Sequence, residues 1–226
     1  MGELPLHYFR NVPTPVNQYS FFVGANPPTS FNPDPRYPTI QSTSFLSPFS
    51  FIVGDVTIGN QTFIGPFVSV RADEGTPFYI GNESNLQDGV ILHGLRDRHF
   101  EVGGKKYSVY IGDKVSCAHG SLIHGPAVLE DNTFVGFNAI VYNAWVGEGA
   151  FISTGATVTN GVKIKANSFV PPNATIDTQA KADSLAPVPT TEADFAKAVQ
   201  RVNAEFPPAY SLYFGKNRCS CGLACG

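Results

Sequence analysis

The chain reads as an all-β protein: a parallel β-helix built on a hexapeptide repeat and finished by an amphipathic C-terminal α-helix. Three observations predict this. Aliphatic side chains recur every six residues between positions 40 and 176, glycine often follows them, and an apolar stripe at helical spacing occurs only near the C-terminus. A six-residue repeat is neither the 3.6 of a helix nor the 2 of a simple strand, and it marks parallel β-helices. The length of 226 residues suffices for one large domain. With 15 basic and 18 acidic residues the net charge is −3, which speaks against nucleic acid as a partner. No apolar run approaches the roughly 18 residues of a membrane span, so no membrane partner is expected. The N-terminus lacks a basic segment followed by an apolar one. The expected location is cytoplasmic, or extracytoplasmic if a leader has been removed.

Residues 1–38 hold eight of the 18 prolines, which favours an extended strap over a strand or helix. Tyr8, Phe9, Phe21, Phe22 and Phe31 favour a strap lying on the core. Residues 39–180 form the β-helix. Its hexad runs Ile40, Leu46, Ile52, Ile58, Ile64 and Val70, slips by four, and continues at Ile80, Leu86 and Leu92. After an interruption at 94–110, read as an extruded loop, come Ile111, Cys117, Ile123, Leu129, Val135 and Val141. A last slip gives Val146, Ile152, Val158, Ile164, Val170 and Ile176. Three repeats close one triangular coil, and coils stack about 4.8 Å apart. Cys117 takes a hexad position and reads as a small buried hydrophobe.

The region 181–210 is helical. Phe195, Val199, Val202 and Phe206 make one apolar face, Thr191 to Asp194 resembles a capping box, and Pro207-Pro208 ends a helix of about 16 residues. This helix should pack on a face of the prism, its own or a neighbour's. Residues 211–226 form a tail with Cys219, Cys221 and Cys225, read as mobile with reactive thiols. Three cysteines do not complete a four-sulfur metal site, and the fold does not rest on disulfides.

The histidines carry the chemistry. His7 and His99 fall outside the regular repeat and read as surface residues. His93 follows Leu92 and His124 follows Ile123, so they hold the same position within their repeats. They lie 31 residues apart; if 13 residues of the interruption are extruded, they stack one coil apart. Imidazoles about 4.8 Å apart can converge on one ion. His119 sits around a corner and is placed to reach the ion of a neighbouring subunit. A closed ring of three subunits would satisfy every chain. Three imidazoles and an open fourth position suit a catalytic zinc site, and imidazole also suits iron, cobalt and nickel. The alternative is three separate exposed corner histidines.

Three motifs then carry a resemblance: Val70-Arg71-Ala72-Asp73-Glu74-Gly75, Asn85-Leu86-Gln87-Asp88-Gly89-Val90-Ile91-Leu92-His93, and Ala118-His119-Gly120-Ser121-Leu122-Ile123-His124-Gly125-Pro126. Over residues 40–210 the chain resembles γ-class carbonic anhydrases, including the anhydrase-like domain of the carboxysome scaffold protein. The resemblance implies a left-handed β-helix, a homotrimer, and Zn2+ (Fe2+ or Co2+ possible) between subunits, acting on CO2 and bicarbonate. It implies His93 and His124 as ligands from one chain and His119 from the next. Gln87 resembles the glutamine at the nucleophile, and Glu74 the active-site carboxylate. Asn85 and Asn203 match two active-site asparagines, and Arg71 and Asp73 the intersubunit ion pair. Some members carry a proton-shuttling glutamate three residues after the first ligand; here that position is Arg96, which leaves Glu74 as the candidate. Two rivals stand beside this reading: a non-catalytic or weakly active trimeric scaffold, and a hexapeptide-repeat acyltransferase.

Overall fold

The computed structural model describes residues 22–214, which wind into a three-faced prism of parallel strands. Two faces belong to one 13-stranded sheet that folds round a corner, and the third is a seven-stranded sheet. The first face stacks Phe22–Gly24, Phe51–Gly54, Ser69–Ala72, Ile91–Gly94 and the first half of Leu122–Leu129. The second carries Val56–Ile58, Phe78–Ile80 and Val109–Ile111, and the third Phe45–Leu46, Phe63–Ile64, Asn85–Leu86 and Ser116–Cys117.

The repeat dictates the core. Every hexad side chain from Leu46 to Ile176 is at most 5% exposed, Cys117 included. Burial pushes the Cys117 thiol far above its ordinary range, so it behaves as an inert apolar group. Register absorbs the slips. Ile64 pairs with Leu86, and Leu86 with Cys117, although these coils are longer than 18 residues. The glycine that often follows the aliphatic has a steric cause. A Cβ at Gly81 would lie 2.4 Å from the carbonyl oxygen of Gly112, one coil on. The same corner satisfies its backbone donors with a column of side chains. The N–H groups of Asn60, Asn82 and Asp113 donate to Oδ1 of Asn82, Asp113 and Asp131 at 2.7–2.8 Å.

The interruption leaves the prism after Gly94 and rejoins it at Ser108. It is a structured hairpin, Phe100–Val102 against Lys105–Tyr107, folded over the second face. Phe100 stands edge-on to Trp145 with centroids 5.7 Å apart, and Tyr107 lies 5.3 Å from Tyr110. The described part of the strap adds the strand Phe22–Gly24 to the first face. Its rings are half-exposed: Phe22 stacks on Phe51, and Phe31 lies under the Arg96 guanidinium.

Two helices come after the last strand, Thr175–Ile176: α1 (Gln179–Asp183) and α2 (Thr190–Phe214). α2 runs back along the third face of its own prism, with Phe195 on Phe134, Phe206 on Phe63 and Tyr210 on Phe45. Its extent corrects two expectations. The helix runs 25 residues straight through Pro207 and Pro208. The prolines forfeit two backbone bonds, and beyond them Tyr210 and Phe214 stack on Phe45, which ties the last turns to the prism. The helix also begins at Thr190, so Thr191 lies inside its first turn and not at a cap. No described helix is long and apolar enough to cross a membrane. His7, Tyr8, Phe9, Phe21, Cys219, Cys221 and Cys225 lie outside the described residues.

Leu86 sits at mid-prism with no exposed surface. Leu86→Ala is expected to cost about 3 kcal/mol in denaturant-induced unfolding, through lost transfer energy and the cavity left behind, without altering the far-ultraviolet circular dichroism.

Candidate metal centre

The parallel ladder of the first face places His93 directly over His124, with Arg71 above and Tyr142 below. Residues in register on adjacent parallel strands are about 4.8 Å apart, so their side chains project as one row. The facing ring nitrogens, Nδ1 of His93 and Nε2 of His124, stand 3.2 Å apart. Two imidazoles on one tetrahedral ion, with bonds of about 2.0–2.1 Å, hold their nitrogens about 3.4 Å apart. The outer nitrogens face the kinds of group that support metal-bound histidines, a carbonyl for His124 and a carboxylate for His93. His124 Nδ1 donates to the Gly125 carbonyl at 3.0 Å, which leaves Nε2 as a lone pair. His93 Nε2 lies 3.3 Å from Asp73 Oδ1, though not in hydrogen-bond alignment, and both atoms are buried without another partner. Desolvation, then the Arg71 charge, lowers the His93 pKa, which favours the neutral ring, the form that binds a metal. The pair therefore fits an imidazole-bound divalent ion.

The carboxylates beside the pair are held from two sides. Asp73 Oδ2 accepts from Arg71 Nε at 3.0 Å, and in the single chain this ion pair closes within the protomer. Glu74 Oε2 comes to 3.8 Å from His93 Nε2, while its Oε1 accepts the Arg96 backbone N–H at 3.2 Å. The Arg96 guanidinium turns away, bonded to Asp97 at 2.8 Å and stacked over Phe31. Asn32 Nδ2 donates to the Asp73 carbonyl at 3.2 Å, so the strap touches both flanks of the pair.

The remaining candidates gather elsewhere, where the third face meets the first. His119 projects from that corner, stacked on Phe137 and 3.8 Å from Asp88. With Gln87 and Asn203 it lines a cavity of about 820 Å³ between α2 and the prism. Among the described residues of one chain, no three His, Cys, Asp or Glu side chains are arranged to hold an ion. One protomer thus presents a histidine pair on one face and a lone histidine at a corner.

A chain of amides fixes the cavity's polar wall. Gln200 Nε2 donates to the Glu83 carbonyl, so its Oε1 accepts, from Asn85 Nδ2 at 3.0 Å and Ser116 Oγ at 3.1 Å. Asn85 Oδ1 then accepts Gln87 Nε2 at 3.1 Å. Each amide sets the orientation of the next, so the Gln87 Nε2 is committed to Asn85 and its carbonyl oxygen stays available as an acceptor. Asn203 Nδ2 donates to Val199, and its buried Oδ1 has no partner. Gln87 and Asn203 thus bring amide groups to a cavity otherwise lined mainly by apolar side chains. Gln200 is not among the residues that the sequence singles out. Its one signal is a polar residue three positions before Asn203 on the packed side of the helix.

No family model matches the chain. It is 42% identical over 187 residues to the carboxysome assembly protein CcmM of Nostoc sp., covering 82% of this chain and 34% of that one. It is 38% identical over 200 residues to the carbonic anhydrase of Methanosarcina thermophila, covering 82% of this chain and 79% of that one. The chain thus spans about a third of the CcmM relative's length. Among solved structures, a Bacillus cereus protein described as an acetyltransferase superposes with a TM-score of 0.65 at 24% identity, covering 77% of this chain and 91% of that one. A hexapeptide transferase family protein of Anaplasma phagocytophilum gives 0.62 at 22%, covering 77% and 93%. At such identity these two bear on the fold alone, the left-handed hexapeptide-repeat β-helix. The fold, the three motifs and the close, long match to the Methanosarcina enzyme agree: the chain belongs to the γ-class carbonic anhydrase family.

Proposed function

We propose that this protein catalyses the metal-dependent, reversible hydration of CO2 to bicarbonate and a proton, at sites between the subunits of a homotrimer. The observation that carries the reading is the His93–His124 pair. Its facing nitrogens are 3.2 Å apart, in a chain whose third motif histidine lies at a different corner. His93 and His124 of one subunit and His119 of the next would hold the ion, with zinc the default and iron or cobalt compatible with the same donors. When bound, such an ion supplies Lewis acidity and brings the ionisation of water down to about pH 7.

The chain's own residues do the rest. The Gln87 carbonyl, fixed by Asn85 and Gln200, accepts a hydrogen bond from the attacking oxygen and aligns its lone pair. Asn203 lies beside Gln87 on the cavity wall, and the apolar rings there favour CO2 over water. Arg71 and Asp73 brace the interface edge. Glu74, 3.8 Å from His93 and without the arginine partner that Asp73 has, accepts the proton; the Arg96 N–H holds it in place. A second reading rests on the CcmM relatives, named as carboxysome assembly proteins: a trimer that works by binding partners. It predicts full metal occupancy without hydration.

Stopped-flow hydration with protein of measured metal content tests both readings. Activity should vanish on chelation and return with Zn2+, Co2+ or Fe2+. Full occupancy without hydration would select the scaffold. His93→Ala and His119→Ala should each be inactive. Co-refolded in equal amounts they should regain about one quarter of wild-type activity, because one ring interface in four unites the two intact halves. No recovery would place all the ligands in one chain. A proton leaving a group of pKa near 7 for bare water limits turnover to roughly 10³ s⁻¹, so turnover should climb with buffer concentration. Gln200→Ala frees the orientation of Asn85 and Gln87. It should lower kcat by about tenfold, with stability reduced by about 1 kcal/mol.

A further inference from the structure

Glu74, His93 and His124 are each followed by glycine: Gly75, Gly94 and Gly125. The three glycines surround one side chain. A Cβ built on Gly75, Gly94 or Gly125 would fall 2.5, 2.1 or 2.7 Å from the Ser108 hydroxyl oxygen. The cradle thus closes on Oγ at Gly75 and Gly94, and at Gly125 on both Oγ and the Ser108 carbonyl oxygen, 2.3 Å from a built Cβ. Ser108 is fully buried, and its Oγ has no hydrogen-bond partner. An unpartnered buried hydroxyl is uncommon, and a stability argument alone would replace it with alanine.

The backbone of Ser108 is clamped. Its N–H donates to the Pro77 carbonyl at 3.0 Å, one coil before, and its carbonyl accepts from Ala127 at 2.9 Å, one coil after. The residue cannot shift, so its side chain acts as a fixed spacer between three turns. Gly94 and Gly125 are themselves in register, and the Gly75 N–H donates to the Gly94 carbonyl at 3.0 Å. A change of volume at Ser108 must therefore move the turns that end in the two histidines and the glutamate.

We propose that Ser108 is a positioning residue of the metal centre: its buried side chain, seated among Gly75, Gly94 and Gly125, sets the separation of the turns that present Glu74, His93 and His124. This rests on the proposed metal-binding role of His93 and His124.

The test uses assembled, metal-free protein titrated with Co2+, whose visible absorption reports ligand geometry, alongside thermal unfolding of the metal-free form. Ser108→Ala should unfold at the wild-type temperature or above it. It should nevertheless bind Co2+ about tenfold more weakly, with an altered visible spectrum, the loss expected for a residue supporting metal ligands. Ser108→Thr keeps the hydroxyl but adds a methyl to the cradle, and should weaken binding further. Wild-type affinity and spectrum in both variants would overturn the proposal. So would a fall in affinity in step with metal-free stability and with no spectral change, which marks simple packing. If the wild-type protein itself takes up no Co2+, or His93→Ala takes it up equally well, the metal-binding reading fails first and the proposal with it.

Discussion

The whole molecule depends on the parallel ladder between coils. Hydrogen bonds one strand spacing apart lock each residue over its counterpart in the next coil, whatever happens between them. One hexad aliphatic per repeat, joined in most repeats by a smaller apolar side chain two residues earlier such as Val68, Val90 or Ala139, then builds the core, because stacking converts each position into a column. The same rule acts on polar neighbours of the core. It yields the Asn and Asp column at one corner and the histidine pair on the first face. Chemistry here is a by-product of register: the polar neighbour of a core residue in one coil meets its counterpart in the next.

The two halves of the proposed centre are prepared differently. The histidine pair is set by backbone stacking and by the carbonyl and carboxylate behind it. The cavity wall with Gln87 is set by side chains, through a line of amides that begins on α2. Loss of the helix would leave the pair in register but let Gln87 turn over. The proline pair in α2 matters for the same reason: the helix must continue past it for Tyr210 and Phe214 to reach Phe45.

Much of this is legible in the sequence, and the limits have physical causes. A period of six survives slips because each strand resumes in register, so Leu46 to Ile176 can be named as core. His93 and His124 can be paired by subtracting one coil from their separation, since the surplus has to leave the prism. The outcomes that packing decides are not legible. Pro207-Pro208 is a stop signal by local propensity, yet the helix continues past it along the third face, where its rings pack on Phe45 and Phe63. Thr191 looks like a cap because the motif fits two frames one residue apart. Gln200 is an ordinary helix residue until α2 lies on the third face. Ser108 lies at the end of the interruption, with nothing local to connect it to glycines one coil away on either side.

The hairpin between Gly94 and Ser108 leaves and returns at one corner, and the register of His93 over His124 is maintained across it. The ladder itself does not require the excursion, because strands on either side of it pair in register. That makes the corner a socket: residues at its mouth, such as Arg96, can be exchanged by swapping the insert while the strands that carry the imidazoles keep their register, provided Ser108 keeps its seat. In such a scaffold the apparatus that handles protons and the apparatus that holds the ion can evolve on separate clocks.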